Sequence, residues 1–286
     1  MPATEPEVYM KKRQVVLIGG AMRSGTTVIH RALCAGENTN PYISESWYLL
    51  DVMRIYKWNL TRYDVRNADQ FGSIENFKDV VFDNFRKYVT LVSAKYNDPD
   101  VIVLKHPELT RYFNDISDYF DDWKFIVIVR DPRDVIASIK RVQKRHQESG
   151  LHTPQTELRS ISDFCLEYLS YYNTVDFSKL KGKHIFLKYE DFVMNASDQL
   201  TKVAMFTGAK YDPDKALKFS DEHQKAANFD KEKRLEDKFA GAFWSDMYTK
   251  DISDASIGSY KNQLTEVEVA EIQQRIGDFG RAFGYW

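Results

Sequence analysis

The stretch Gln14–Ala35, QVVLIGGAMRSGTTVIHRALCA, limits what this chain can fold into more than any other. Gln14 to Ile18 is mostly apolar and β-branched, the pattern of a buried strand. Gly19 and Gly20 break that pattern, and Thr26 to Ala35 resumes it at helical spacing, with Val28, Ile29, Ala32 and Leu33 on one face. A strand, a glycine-containing turn and a helix in direct succession make a cradle for a phosphate-like anion. The turn's N–H groups converge inward, and the helix N-terminus adds the positive end of its dipole. An ordinary strand, turn and helix with a surface arginine shares that outline, so other motifs must decide between the two.

The turn is close to the loop of nucleotide triphosphatases, G-x-x-x-x-G-K-[ST], whose lysine reaches the β- and γ-phosphates. Gly20, Gly25 and Thr27 fit it, but Thr26 stands where the lysine belongs, and Arg23 and Ser24 supply the nearby cation and hydroxyl. The loop therefore suits an anion without suiting Mg-ATP chemistry.

The rest of the composition is that of a soluble globular protein. In 286 residues, 43% are hydrophobic and 29% charged, enough to bury one large core. A net charge of −2 gives no global case for nucleic acid or an anionic membrane as partner, so any anion site is local. No apolar run approaches the ~20 residues of a membrane span. The opening MPATEPEVYMKKRQ lacks the apolar core of a signal peptide, so a cytoplasmic location is expected, with residues 1–13 a flexible N-terminus. Cys34 and Cys165 fall in apolar helical patterns and read as core packers in a reducing compartment.

Along the chain, helical spacing predicts helices over Ile43–Tyr56, with Ser44 as N-cap and Glu45 in the first turn, and over Glu75–Tyr96. Asp64 to Gly72 reads as a loop. Val101–Leu104, Lys124–Val129 and His184–Lys188 read as further strands. Helices are expected over Leu109–Phe120, Asp134–Gln147, Ile161–Val175, Ser197–Gly208, Pro213–Ala227 and Leu264–Phe283. Ser149–Thr156 reads as a mobile loop, and Phe229–Ser256 as irregular and aromatic. Short apolar strands alternating with helices indicate an α/β fold, a single domain over residues 1–286 with a central parallel sheet flanked by helices. In such sheets ligands sit beyond the C-terminal strand ends. Arg23–Thr27, Lys105-His106 and Arg130 all fall there.

GGAMRSGTT resembles the 5′-phosphosulfate-binding loop of sulfotransferases that use 3′-phosphoadenosine 5′-phosphosulfate (PAPS). In that family an arginine ending a strand and a serine on the following helix hold the 3′-phosphate. Arg130 and Ser138, eight residues apart in VRDPRDVIASIKR, have that arrangement. Guanidinium offers a planar donor fork and the serine a further donor, although R-D-P-R-D is also good helix-start chemistry.

The resemblance implies further roles. Leu104-Lys105-His106-Pro107 is similar to the family segment whose lysine contacts the bridging oxygen of phosphosulfate, so Lys105 would stabilise the leaving phosphate. Family members carry a base histidine two residues after that lysine; here His106 follows it directly. Other members use a glutamate past the R-S-G loop, and Glu45 lies 22 positions past Arg23. Both remain candidates for the general base, with Glu45 ranked first. Tyr189-Glu190-Asp191 resembles the Y-E-D near the adenine. Ser256–Thr265 resembles the late segment closing over the nucleotide, with Tyr260 in place of the usual tryptophan. The family's dimer motif is broken by Glu266 and Ala270.

The expected site is therefore Arg23, Ser24, Gly25, Thr26 and Thr27 around the phosphosulfate, Arg130, Ser138, Tyr189 and Tyr260 around the rest of the nucleotide, and Lys105, Glu45, His106 and Arg23 at the transfer step. The expected reaction moves sulfuryl from PAPS to a hydroxyl or amine of a small molecule or glycan without a metal, releasing adenosine 3′,5′-bisphosphate (PAP). A small-molecule kinase of the P-loop type would need Mg²⁺ and the absent loop lysine. A non-catalytic nucleotide-binding module would bind PAPS or PAP without turnover.

Overall fold

A computed structural model describes residues 13–148, 150, 159–213, 216 and 253–286. The expected flexible N-terminus lies outside the described residues except for Arg13. So do most of the expected 149–156 loop and 213–227 helix, and most of the aromatic stretch 229–256. Among the described residues no helix is long and apolar enough to cross a membrane.

Four strands, β1 (Gln14–Gly20), β2 (Val101–Lys105), β3 (Lys124–Val129) and β4 (His184–Lys188), form one parallel sheet in the order β2-β1-β3-β4. β1, β2 and β3 are almost wholly buried because helices cover both faces, which explains their unbroken apolar runs. Side chains alternate between two cores. Val15, Leu17, Ile102, Leu104, Phe125 and Val127 face one side, while Val16, Ile18, Val101, Val103, Ile126 and Ile128 face the other.

The first core is closed by α2 (Trp47–Leu60), α5 (Ile74–Lys95) and α8 (Ile161–Asn173). The second is closed by α1 (Thr26–Leu33), α9 (Tyr189–Met194) and α10 (Ala196–Thr207). Cys34 and Cys165 are buried, unpaired thiols, as expected of core packers. α7 (Pro132–Glu148) follows β3 and begins two residues ahead of the expected Asp134, with Pro132 at its first position. β1 sits between strands reached in opposite directions, so the loops after β1 and β3 diverge and open a crevice at the C-terminal edge.

Several elements differ from expectation for local reasons. α2 starts at Trp47, not at Ile43, because the chain before it is committed to β2. Asn40 N–H donates to Val101 C=O, the Asn40 side chain pairs with Val103, and Ser46 N–H donates to Lys105 C=O at 2.9 Å. Ser44 caps nothing there, and Glu45 lies ahead of the helix. Residues 63–71 form two single-turn helices, α3 (Tyr63–Arg66) and α4 (Ala68–Phe71), where a loop is expected. After β2 a 3-10 turn (Pro107–Tyr112) precedes α6 (Phe113–Tyr119), held tight by a Thr110 hydroxyl that donates to Pro107 C=O. The closing helix splits into α11 (Glu266–Ile276) and α12 (Asp278–Ala282) at Gly277, whose φ of 50° no regular helix accommodates.

Candidate active site

The loop after β1 is held open by its supports. Gly20 N–H donates to Thr110 Oγ1 at 2.6 Å, and Ala21 N–H to the Tyr172 hydroxyl at 3.1 Å. Tyr172 in turn donates to Ile128 C=O of β3. Arg23 adopts φ 65°, uncommon for a residue with a side chain, and Gly25 adopts φ 92° as the N-cap of α1. A side chain at Gly25 would collide with the Tyr189 ring. Gly25 brings no capping oxygen, so the first-turn amides of α1 are left for an outside acceptor. Ser24 is fully buried, and its Oγ has no hydrogen-bond partner.

On the β2 side, Lys105 ends its strand with a side chain only 1% exposed. Its Nζ lies 3.0 Å from Thr27 Oγ1 and 2.5 Å from Glu45 Oε1. The extended segment before α2 is what carries Glu45 there, and its side chain remains 32% exposed. Burial pushes the Glu45 carboxyl up, but the Lys105 charge and hydrogen bond outweigh that and hold it below the usual range.

His106 packs edge-on against Trp47, their ring centroids 4.4 Å apart. Its Nδ1 accepts the Glu108 N–H at 3.2 Å, so a neutral ring carries its proton on Nε2. That Nε2 has no hydrogen-bond partner and sits 3.9 Å from Glu45 Oε2. Burial is the main cause that lowers the imidazole pKa to about 4, against the opposing pull of Glu45. Sequence reasoning misses His30, one helical turn past Thr27. It is wholly buried, with Nε2 3.3 Å from Val103 C=O, and burial together with the Lys105 charge lowers it to about 3.

On the β3 side, Arg130 is 4% exposed. Its guanidinium lies 4.3 Å over the Tyr189 ring and donates to Ser256 C=O at 2.6 Å and to Arg23 C=O at 3.3 Å, while Nε has no partner. Arg23 Nε donates to Ser138 Oγ at 3.1 Å. The structure thus brings Arg23, Ser24, Gly25, Arg130, Ser138 and Tyr189 together, and beside them Thr26, Thr27, Lys105, Glu45 and His106.

Tyr260 joins differently. Its N–H donates to Asp134, as does that of Gly258, while its ring packs under Arg133 at 4.5 Å. Asp134 therefore staples the late segment to α7, and Tyr189 ties the same segment through Ser256 Oγ at 2.8 Å. Neither staple has a sequence signal, because each joins residues more than 60 positions apart.

No curated protein sequence matches this chain. Among solved structures it is similar to the sulfotransferase domain from the curacin biosynthetic pathway, with a TM-score of 0.55 and 15% identity over 92% of this chain and 97% of that one. It is also similar to the sulfotransferase domain from the Synechococcus PCC 7002 olefin synthase, with a TM-score of 0.51 and 16% identity over 93% and 95%. At these identities the likeness is one of fold. The model of the sulfotransferase family matches residues 15–213, from the start of β1 to beyond α10. The chain belongs to the sulfotransferase family.

Proposed function

We propose that this chain is a single-domain PAPS-dependent sulfotransferase that transfers sulfuryl to a hydroxyl or amine of a small molecule or glycan. The observation that carries the reading is Lys105 Nζ, set between Thr27 of the anion loop and the Glu45 carboxylate. One cation bridges a place built for an anion and a group able to take a proton. Two buried donors without partners, Ser24 Oγ next to Arg23 in the loop and Nε of Arg130, which donates to Arg23 C=O, fit a nucleotide carrying more than one anionic group.

PAPS supplies the activated sulfuryl group. Ser24, the α1 amides, Thr27 and Lys105 bind its phosphosulfate, and Arg130 with Ser138 binds its 3′-phosphate. Tyr189, already stacked on Arg130, and Tyr260 lie toward the base. In the transfer, an acceptor oxygen bonds to sulfur as the sulfur–oxygen bond to the phosphate breaks. The phosphate keeps that electron pair, Lys105 and Arg23 neutralise it, and the acceptor proton passes to Glu45. His106 presents its Nε2 proton, not a lone pair, toward Glu45, which ranks Glu45 ahead as base. Cationic side chains take the part a metal plays in kinases. Two unpaired buried thiols suit a reducing cytoplasm as the setting.

A panel of alcohols, phenols, amines and glycans incubated with sulfur-labelled PAPS tests the reading. Label moving to an acceptor with equimolar PAP is expected. PAP binding without transfer to any acceptor would leave a binding module in its place.

A further inference from the structure

A cavity of about 550 Å³ opens beside Arg23, between the 3-10 turn after β2 and helices α7 and α8. That is the size of a small-ligand site. It shares Met22 and Arg23 with the anion loop, and Glu108 with the turn that holds His106, so it opens next to both elements. Much of its wall is apolar, including Met22, Ile139, Val142, Phe164 and Tyr171.

The charged part of the lining is unevenly paired. Arg159 is tied to Glu167 at 2.6 Å. Glu108 is engaged at 2.9 Å by Arg54, which does not line the cavity. Arg111 therefore has no carboxylate within hydrogen-bond distance among the described residues, its nearest being Glu108 at 3.8 Å. It is nonetheless fixed in place: the guanidinium lies 4.4 Å over the Tyr171 ring and donates to Ser170 Oγ at 2.8 Å, leaving Nε without a partner. A planar donor fork held still in the wall of a cavity that also presents apolar surface is preorganised for a carboxylate or similar anion.

We propose that this cavity receives the acceptor and that Arg111 pairs with an anionic group, a carboxylate in its simplest form, carried on an apolar body away from the reacting hydroxyl. The inference rests on the sulfotransferase reading above. The transfer is the one already written, with the acceptor proton leaving to Glu45 and the phosphate keeping the electrons of the broken bond. Arg111 would touch only the acceptor's distal end, so its contribution falls on acceptor KM.

The test uses the full chain with PAPS and two matched acceptor pairs, para-hydroxyphenylacetate with para-cresol and ω-hydroxydecanoate with decanol. In at least one pair the carboxylate member should have the higher kcat/KM, by about 10–100-fold. Arg111→Met, which keeps contact with Tyr171, should raise the KM of that acceptor by a similar factor, and Arg111→Lys should restore part of it. Calorimetric PAP affinity and a melting curve show that each variant is folded. Should Arg111→Met melt early, Arg111→Gln carries the same comparison. A neutral member equal or better in both pairs, no transfer to either carboxylate, or an unchanged KM in a folded Arg111 variant overturns the proposal. Failure of the unmodified protein to bind PAP would instead bring down the nucleotide reading, and this inference with it.

Discussion

Lys105 and Glu45 neutralise each other across 2.5 Å, although one ends a strand and the other precedes a helix 60 positions earlier. While that pair is intact, the carboxylate is a weak base and the lysine is not fully available to an anion. Anything that draws the lysine toward the anion loop frees the carboxylate to accept a proton.

Glu45→Gln keeps the shape and removes the basicity. Turnover should drop by about 10²–10⁴. PAPS affinity should hold or rise, since Lys105 loses a competing partner. His106→Ala should cost less, because that ring presents a proton rather than a lone pair toward Glu45. Turnover and PAPS affinity measured together on both variants decide it, and near-normal turnover in Glu45→Gln with its loss in His106→Ala would reverse the assignment.

Discrimination should follow the 3′-phosphate. Removing one charged, hydrogen-bonded contact costs roughly 1.5–3 kcal/mol, about one to two decades of affinity. Calorimetry should therefore show PAP binding at least tenfold more tightly than AMP, with Arg130→Ala closing most of the gap. Equal affinities in the unmodified protein would rule out Arg130 and Ser138 as a phosphate site.

Activity should survive chelation, since the groups proposed to stabilise the leaving phosphate are Lys105, Arg23 and backbone amides. Assays with excess EDTA provide the check. Complete loss, restored by Mg²⁺, would point to the kinase chemistry instead.

Acid should weaken the fold before carboxylates protonate in bulk. His30 and His106 are buried neutral, lowered from 6.5 to about 3 and about 4. Between pH 6.5 and 4 the unfolded chain takes up protons that the folded one refuses, so stability rises with pH across that window. The effect is on the order of 3 kcal/mol for each ring by pH 4. Glu45 acts lower down: its depressed carboxyl contributes fully above its ordinary pKa near 4.5 and loses that contribution as pH falls through the depressed value. Melting temperatures should decline steadily from pH 6.5 to 4, and more shallowly in the double variant His30→Gln, His106→Gln, whatever its stability at neutral pH. Parallel slopes would refute the account.

What the sequence made legible follows contact distance. The anion loop is contiguous, and Arg130 and Ser138 lie eight residues apart from the end of β3 into α7, a short local pattern that the family resemblance makes legible. The period of Ile43–Tyr56 puts Glu45 in a helix. Periodicity cannot register that residues 39–46 are already bonded to a strand far along the chain. For the same reason Thr110, which props Gly20, and Asp134, which anchors Gly258 and Tyr260, have no local signature. The break at Gly277 was readable in principle, since a glycine interrupts an otherwise regular stripe.

The strand order has a consequence for how such a protein can be altered. β2 and β3 lie on opposite flanks of β1, so the groups proposed for the transfer, Lys105 with Glu45 beside it, and those proposed for the 3′-phosphate, Arg130 and Ser138, hang from different strands and meet only at the loop between them. Acceptor preference can then be rewritten at Arg111 on the 3-10 turn and along α8 while Arg130 and Ser138 are left untouched. The fold works as a fixed chuck with an interchangeable tool.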